Sequence, residues 1–349
     1  MGVWGSDILA VFYTSEREVD PLRLIRGGVL KRVLPMSEAV KGVKRALSAW
    51  SSGSCQVPVR ERLSLKLGDV LFMPASVDHV VETAGVKVIS VFPGNLAQGK
   101  PSITSLMVLI SSETGEVEAL LDGTELTRIR TGAVTACGTE LLAREDARIG
   151  ALFGTGGQAM TQLEGMLHAR SLEEVKVYDQ FRERIMAFIE AARPMAEARG
   201  CRLVPAEDPE EAVANAMVVT TVTTSSTPVF PGAMLPMGAH VNAIGAYTPS
   251  ARELDTETLT RADLVFVDNL KAVMEEAGDL LIPISEGAFG PERITGELGE
   301  ILLGLKQGRS SSAQITVMKS VGFGALDVVC ARRALDLALK MGLGEELEI

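Results

Sequence analysis

Aromatic side chains are scarce in this 349-residue sequence, at 4% of the residues, so Ala, Val, Leu, Ile and Met must form its core. The three histidines show no HExxH spacing, and the four cysteines form no CxxC pair. The sequence therefore predicts neither a metal site nor a disulfide framework, and it favours a reducing, cytoplasmic location. No apolar run reaches the roughly 18 residues that are needed to cross a bilayer.

Positive charge is also in short supply, because 34 Lys and Arg face 45 Asp and Glu and leave a formal charge of −11. This balance has the wrong sign for neutralising a phosphate backbone, so nucleic acid is not an expected partner. The N-terminus lacks the basic region of a signal peptide. Met1, Gly2 and Ser6 fit a short myristoylation pattern, but no basic patch follows to supply a second anchor. We therefore expect no attachment to a membrane.

The first part of the chain combines one amphipathic helix with short β-rich segments. Apolar residues recur at helical spacing after Pro35, which predicts a helix with Ser37 as its N-cap. Strands are predicted at 63–67, 70–73, 86–92 and 105–110, with a hairpin turn at Thr114-Gly115 and a helix at 126–144. This pattern is typical of an α+β domain with an antiparallel sheet.

From Ile149 onwards, apolar strands bounded by glycine alternate with helices. Strands are predicted in IGALF, VKVYD, CRLVPA, MVVTTVT, HVNAIGA, ADLVFVD and ITVMKSVG, with helices at 159–169, 182–200, 209–215, 297–308 and 325–342. Repeated βα units of this kind predict an α/β fold with a doubly wound parallel sheet. We expect domains at 1–138 and 139–321, with a C-terminal helix in 322–349 that packs back on the first domain.

A glycine-rich turn follows the first of these strands. Residues 154–159 read Gly-Thr-Gly-Gly-Gln-Ala, the spacing at which a strand-to-helix turn receives a pyrophosphate. Asp179, 25 positions after Gly154, is near the spacing of the carboxylate that binds the adenosine ribose. It would repel a 2′-phosphate and so favours NAD(H), although the nearby Arg182 and Arg184 leave NADP(H) open. The alternative is an ordinary tight turn.

Three basic residues stand in apolar or small-residue surroundings. They are Arg60 in QVPVRERL, Lys87 in GVKVISVFP and Arg130 in TRIRTGAVTA. A lysine in the middle of such a strand must either point to solvent or be buried with an anion, and an arginine suits a carboxylate. Spacing alone does not bring these three residues into one site.

The sequence as a whole resembles the ornithine cyclodeaminase and μ-crystallin family, which includes an archaeal-type alanine dehydrogenase and cyclic ketimine reductases. The segments that carry the resemblance are PVRERL, VKVISVFPGN, KPSITSLMVL, ETGEVEALLDGTELTRIRTGAVTA, ALFGTGGQA, GAHVNAIGA and MKSVG. Membership implies a substrate-binding and dimerisation domain beside a Rossmann-type NAD(P)-binding domain. It also implies a homodimer whose catalysis takes place in the cleft between the two domains.

The resemblance assigns roles to individual positions. Arg60, Lys87, Arg130 and Val321 match substrate-binding positions, with Lys87, Arg130 and Tyr247 as the catalytic candidates. The positions that match cofactor contacts are Ser102, Arg130, Thr131, Gly154, Gly156, Gly157, Gln158, Ala159, Asp179, Thr223, Val241, Asn242, Ala243, Ile244 and Ser320. No metal ligand is implied.

Tyr247 departs from part of the family. Cyclodeaminases and the alanine dehydrogenase have an Asp after the strand HVNAIGA as their acid/base group, and Tyr, with a reference pKa of ~10, replaces it poorly. Ketimine reductases also lack that Asp, because a cyclic imine already takes up a proton in water. The sequence therefore favours an NAD(P)H-dependent reductase of a small imino acid. The alternatives are a cyclodeaminase, which would need another proton-transfer group such as Glu61, an alanine dehydrogenase-like enzyme, a condensing enzyme, and a non-catalytic crystallin-like protein.

Overall fold

The computed structural model describes residues 21–79 and 81–348. Met1, Gly2 and Ser6 of the myristoylation pattern lie outside these residues, as do the first 20 residues of the predicted first domain. Within the described part, the strands form two eight-stranded sheets. No helix in that part is long and apolar enough to span a membrane.

The first part of the chain contains short strands and two helices before a long helix. In chain order these elements are β1 (Leu22–Ile25), α1 (Gly27–Val33), α2 (Met36–Ser51), β2 (Cys55–Gln56), β3 (Glu61–Leu65), β4 (Gly68–Val77), β5 (Thr83–Val91), β6 (Ile103–Ile110), β7 (Val117–Asp122) and α3 (Gly123–Leu142). The helix predicted after Pro35 is confirmed. The prediction of Ser37 as its N-cap is wrong, because the helix already begins at Met36 and the extended Pro35 occupies the cap position.

The second part alternates strands and helices before a closing helix and a short strand. Its elements are β8 (Ile149–Phe153), α4 (Ala159–Ala169), β9 (Glu174–Tyr178), α5 (Arg182–Glu197), β10 (Arg202–Pro205), α6 (Pro209–Val213), β11 (Val218–Thr221), β12 (His240–Ala243), α7 (Thr256–Arg261), β13 (Leu264–Val267), α8 (Leu270–Glu276), α9 (Gly278–Ser285), β14 (Gly296–Glu297), α10 (Leu298–Leu302), β15 (Thr316–Lys319), α11 (Gly324–Lys340) and β16 (Glu345–Leu347). The helix predicted over 297–308 ends early, at Leu302, and α7 to α9 were not predicted.

The second sheet is parallel throughout, with the strand order β10-β9-β8-β11-β12-β15-β13-β14. Its central strands are apolar because both faces are covered by other elements. The order reverses at β8, whose two neighbours are β9 and β11. The carboxyl ends of strands at such a reversal border a crevice in which ligands bind. The predicted doubly wound α/β fold is confirmed.

In the first sheet, β4 to β7 form an antiparallel meander, as predicted, and β1 joins β7 in parallel. One face of this sheet packs on α11, which shares a single apolar core with α2 and α3. Leu71, Met73, Ala75 and Val77 of β4 point to that face and are buried. The closing helix α11 therefore returns to the first sheet after the chain has built the second one.

Candidate active site

The glycine turn joins β8 to α4 in a conformation that suits an anion. Gly154 has a φ of +101°, and a Cβ atom there would lie 2.9 Å from the carbonyl oxygen of Val222, so both its backbone and its neighbours require glycine. A Cβ on Gly156 would meet nothing within 4 Å, so open space lies beside the turn. No side chain caps α4 at Gln158, and its first turn carries no acidic residue. These residues, with Gly157 and Ala159, fit the pyrophosphate of a dinucleotide.

Asp179 directly follows β9 and bonds to this turn. Its Oδ2 accepts hydrogen bonds from the backbone N–H of Thr155 (3.0 Å) and from its hydroxyl (2.8 Å), and its Oδ1 accepts one from the N–H of Phe181 (3.2 Å). The two halves of the predicted dinucleotide motif therefore lie together. Arg182 pairs with Glu207, and Arg184 stacks on the ring of Phe181. Both nearby arginines are thus engaged elsewhere in this structure.

Lys87 lies in the centre of β5, directly between Met73 of β4 and Met107 of β6, on the face that α11 covers. Its Nζ donates a hydrogen bond of 2.6 Å to Oδ2 of Asp327 in α11, and both side chains are 0% exposed. Burial lowers the pKa of Lys87 to about 8, an effect that the positive charge of Arg130 enlarges and Asp327 opposes. The anion that a buried strand lysine requires is therefore present within the protein.

Arg130 of α3 uses the same carboxylate. Its Nε donates to Oδ1 of Asp327 at 2.9 Å. Burial by itself would raise the pKa of Asp327, but Arg130 and Lys87 outweigh that effect and hold the pKa below its ordinary value. Because one carboxylate faces two cations, the cluster keeps a net positive charge in a buried place. Such a charge suits the carboxylate of a small substrate.

Arg60 precedes β3 and reaches the loop that follows β15. Its Nη2 donates to the carbonyl oxygens of Val321 (3.3 Å) and Gly322 (3.1 Å) and lies 2.6 Å from Oε2 of Glu276. Burial raises the pKa of Glu276, although Arg60 opposes this. Arg60 and Glu276 line the same cavity. Glu61, considered above as a proton-transfer group, is exposed and pairs with Phe72 of β4, so its side chain lies on the face of the sheet that is turned away from α11.

The loop after β15 is positioned by Asp268, which directly follows β13. Its Oδ2 accepts hydrogen bonds from Ser320 Oγ (2.6 Å) and from the N–H of Gly322 (2.8 Å). Gly322 has a φ of +72°, and a Cβ atom there would lie 2.7 Å from Nη1 of Arg130. This glycine therefore leaves room for the guanidinium. The structure thus brings Ser320 and Val321 close to Arg60 and Arg130.

A second buried charge cluster supports the carboxyl ends of β11 and β12. Glu253, 0% exposed, accepts hydrogen bonds from the N–H groups of Thr223 (2.5 Å) and Gly245 (2.6 Å). Lys319 donates to Asp279 (2.7 Å) and to the carbonyl oxygen of Ala246 (2.6 Å). Burial raises the pKa of Glu253, and Lys319 opposes this. The cluster fixes the backbone next to Tyr247.

Tyr247 itself is 40% exposed, at the edge of that loop. Four consecutive positions in and after β12 match cofactor contacts. Val241 and Asn242 lie within the strand and are fully buried, and the Asn242 amide donates to Thr139 and Thr220. Ala243 ends β12, and Ile244 follows it. The hydroxyl of Thr131 donates a hydrogen bond to the carbonyl oxygen of Thr127. Ser102 precedes β6, and its carbonyl oxygen accepts a hydrogen bond from the N–H of Phe92.

Sequence reasoning missed five acidic residues of this region, namely Glu253, Asp268, Glu276, Asp279 and Asp327. Asp268 had a local signal, since it directly follows an apolar strand at the ligand-binding edge of the sheet. Asp327 had a weaker one, as a charge on the apolar side of the closing helix. Glu253 and Glu276 lie in the segment whose helices were not predicted. Among residues 21–79 and 81–348, no three His, Cys, Asp or Glu side chains are grouped so as to hold a metal ion.

The sequence model of the ornithine cyclodeaminase/mu-crystallin family matches residues 29–341. The chain belongs to this family. Delta(1)-pyrroline-2-carboxylate reductase of Bacillus cereus is 36% identical over 320 residues, which cover 91% of this chain and 97% of that protein. Alanine dehydrogenase of Archaeoglobus fulgidus is 33% identical over 319 residues, covering 91% of this chain and 96% of that protein.

A solved structure of the family extends the comparison to the fold. Delta(1)-pyrroline-2-carboxylate reductase of Thermococcus litoralis, in complex with NADH and L-proline, superposes with a TM-score of 0.88 at 34% identity, covering 93% of this chain and all of that one. The family membership expected from the sequence is therefore confirmed, and so is the combination of a Rossmann-like parallel sheet with a second unit.

Proposed function

We propose that this protein is an NADH-dependent reductase of a small cyclic imino acid, with Delta(1)-pyrroline-2-carboxylate as its substrate. The observation that carries the proposal is the shared use of Asp327 by Lys87 and Arg130, because it leaves net positive charge where a substrate carboxylate would bind. The reductases of B. cereus and T. litoralis, each more than 30% identical over at least nine-tenths of the chain, support the reaction class.

The chain's own residues have mainly to bind and orient the imino acid. Lys87, Arg130 and Arg60 hold its carboxylate, and Arg60 also bonds to the carbonyl oxygen of Val321. A reduced nicotinamide, when bound, would supply the hydride for the C=N carbon. Since the imine nitrogen of a cyclic imino acid takes up its proton from water, no side chain needs to titrate near neutrality. Tyr247 then closes the pocket, and neither Glu61 nor a replacement for the family's Asp is required.

The glycine turn and the carboxyl ends of β9, β11, β12 and β15 would hold the dinucleotide. The backbone of residues 154–159 would bind its pyrophosphate, and Asp179 would bind the adenosine ribose, which supports NAD(H) over NADP(H). The remaining contacts assigned by family resemblance are Ser102, Thr131, Thr223, the run from Val241 to Ile244, and Ser320.

We also propose that the two domains meet between residues 138 and 139, and that residues 322–349 return to the first domain. We further propose a cytoplasmic location.

We further propose that the enzyme is a homodimer that buries the outer face of the first sheet. Phe72, Val88 and Leu106 lie directly opposite one another on β4, β5 and β6, on the face turned away from α11. Phe72 is 37% and Leu106 is 41% exposed, and Leu63 on the neighbouring β3 is 53% exposed. An exposed apolar row of this kind marks an interaction surface. Sedimentation of the wild type and of Phe72→Glu tests this assignment. We expect a dimeric wild type and a monomeric Phe72→Glu, and a monomeric wild type would overturn the assignment.

The reaction is tested by NADH absorbance with the purified protein. We expect loss of NADH that depends on pyrroline-2-carboxylate, with piperideine-2-carboxylate as the ring-size comparison. Ornithine with catalytic NAD distinguishes the main alternative, because a cyclodeaminase releases ammonia and forms proline with no net change in absorbance. Alanine with NAD tests the dehydrogenase. Turnover of ornithine or alanine without turnover of either imino acid would overturn the proposal.

A further inference from the structure

Helices α3 and α4 lie in parallel and in backbone contact, which sets one arginine beside the glycine turn. A Cβ atom on Gly132 of α3 would lie 2.2 Å from the carbonyl oxygen of Thr161 in α4. A Cβ atom on Gly165 of α4 would lie 2.2 Å from the carbonyl oxygen of Gly132 and 3.3 Å from the N atom of Ala136. Only glycine allows this approach, so the two helices are held in one register.

That register continues toward the beginning of α4. Arg128 lies one helical turn before Gly132, on the same side of α3. Gly157 lies four residues before Thr161, just before α4 begins. The structure places Nη2 of Arg128 3.8 Å from the position that a Cβ atom on Gly157 would take. The guanidinium of Arg128, from the first part of the chain, therefore lies next to the glycine turn that joins β8 to α4.

The charge of Arg128 is only weakly engaged within the protein. Its Nη1 lies 3.4 Å from Oε2 of Glu125, three residues earlier on the same helix, and its side chain is 43% exposed. Glu125 also faces Lys31 at 3.7 Å. Since the carboxylate is shared between two cations, Arg128 retains positive charge for a further anion.

We infer that Arg128 binds the pyrophosphate of the dinucleotide, beside the backbone N–H groups of the glycine turn and the uncapped N-terminus of α4. This inference rests on the proposed function, because it takes the dinucleotide as the ligand. A guanidinium presents several N–H donors in one plane and therefore matches the oxygens of a phosphate. Arg128 also bridges the two parts of the chain, so cofactor binding helps to fix their relative position.

The experiment measures dissociation constants without turnover, by titrating NADH fluorescence and by competition with ADP-ribose, ADP and adenosine. We expect Arg128→Ala to weaken NADH, ADP-ribose and ADP by about tenfold, and adenosine by less than about twofold, since adenosine lacks the phosphates. The affinity of the variant for ADP should also fall less steeply with added NaCl than that of the wild type.

Arg193→Ala is the matched control, because Arg193 also lies on a helix, is 51% exposed and pairs with a glutamate three residues earlier. It removes the same charge and should leave all four affinities unchanged. Equal weakening of adenosine and ADP-ribose by Arg128→Ala, or no weakening of either, would overturn the inference while the proposed function stands. A variant that weakens 2′,5′-ADP but not ADP would also overturn it. A wild type that binds no NADH would remove both the inference and the proposed function.

Discussion

The Nζ atom of Lys87 and the Oδ2 atom of Asp327 lie 2.6 Å apart, and both side chains are completely buried. One belongs to β5, an inner strand of the first sheet, and the other to the closing helix, 240 positions later in the chain. Arg130 of α3 binds the other oxygen of the same carboxylate. The proposed substrate clamp therefore depends on three elements that meet only after the whole chain has folded.

Asp327→Asn should destabilise the protein by about 3–5 kcal/mol, because it leaves Lys87 and Arg130 buried without their shared counter-ion. Urea unfolding followed by circular dichroism measures the change. Asp336→Asn provides the control, since Asp336 lies on the same helix, is 50% exposed and pairs with Arg332. That exposed pair should contribute less than about 1 kcal/mol. Equal effects of the two changes would contradict the importance of the buried cluster.

The pH dependence of substrate binding should report the titration of Lys87. Its pKa is lowered to about 8 by burial, so the side chain loses its positive charge as the pH rises through that value. We therefore expect the affinity for pyrrole-2-carboxylate, a planar carboxylate with no titrating imine, to be full below this pH and to fall above it. Lys87→Arg keeps its charge and should show no such fall. A flat wild-type profile between pH 6 and 10 would exclude Lys87 from the clamp.

The sequence predicted features that are local in the chain. The glycine turn and Asp179 were found because a strand, a turn and a helix follow one another at fixed spacing, and the structure joins Thr155 to Asp179 as that motif requires. The sequence also indicated that Lys87, in an apolar strand, needs an anion if it is buried. It could not identify Asp327 as that anion, because pairing across 240 positions is a property of the tertiary fold.

The segment between β12 and β15 shows a second limit. Its helices α7, α8 and α9 have only six to eight residues each, too short for a clear helical periodicity, and α9 contains Pro283. Glu253, Glu276 and Asp279 all belong to this segment. Glu61 was considered as a proton-transfer group because it is adjacent to Arg60 in the chain. Glu61, however, is exposed and pairs with Phe72 of β4, and the carboxylate that reaches Arg60 comes from α8.

Asp179→Ala should weaken NADH binding more than NADPH binding, because it removes the carboxylate that we assign to the ribose and that opposes a 2′-phosphate. An effect of about tenfold on the ratio of the two dissociation constants is expected. Asp179 also accepts two hydrogen bonds from Thr155, so the variant could disturb the turn itself. Thr155→Val removes the hydroxyl bond and keeps the carboxylate, and it should weaken both cofactors alike. Equal weakening of both by Asp179→Ala would contradict the assignment.

Glu276→Gln tests whether the substrate carboxylate and Glu276 compete for Arg60. The Glu276 carboxylate lies 2.6 Å from the guanidinium, whose bonds to the carbonyl oxygens of Val321 and Gly322 would remain. We expect the KM for the imino acid to fall by about threefold or more, with little change in kcat. Glu190→Gln, an exposed change on α5, should alter neither constant. A rise in KM would instead identify Glu276 as the residue that orients Arg60.

Tyr247→Phe should leave kcat for pyrroline-2-carboxylate within about threefold of the wild type, because the imine nitrogen takes its proton from water. The change is structurally mild. Tyr247 is 40% exposed, and the preceding Ala246 is fixed on both sides by Glu253 and Lys319. Lys87→Ala, in contrast, should abolish turnover and leave NADH affinity nearly intact. Stopped-flow absorbance at saturating NADH compares the variants. A hundredfold loss of kcat in Tyr247→Phe with unchanged KM would make Tyr247 the proton donor and overturn a mechanism that relies on orientation alone.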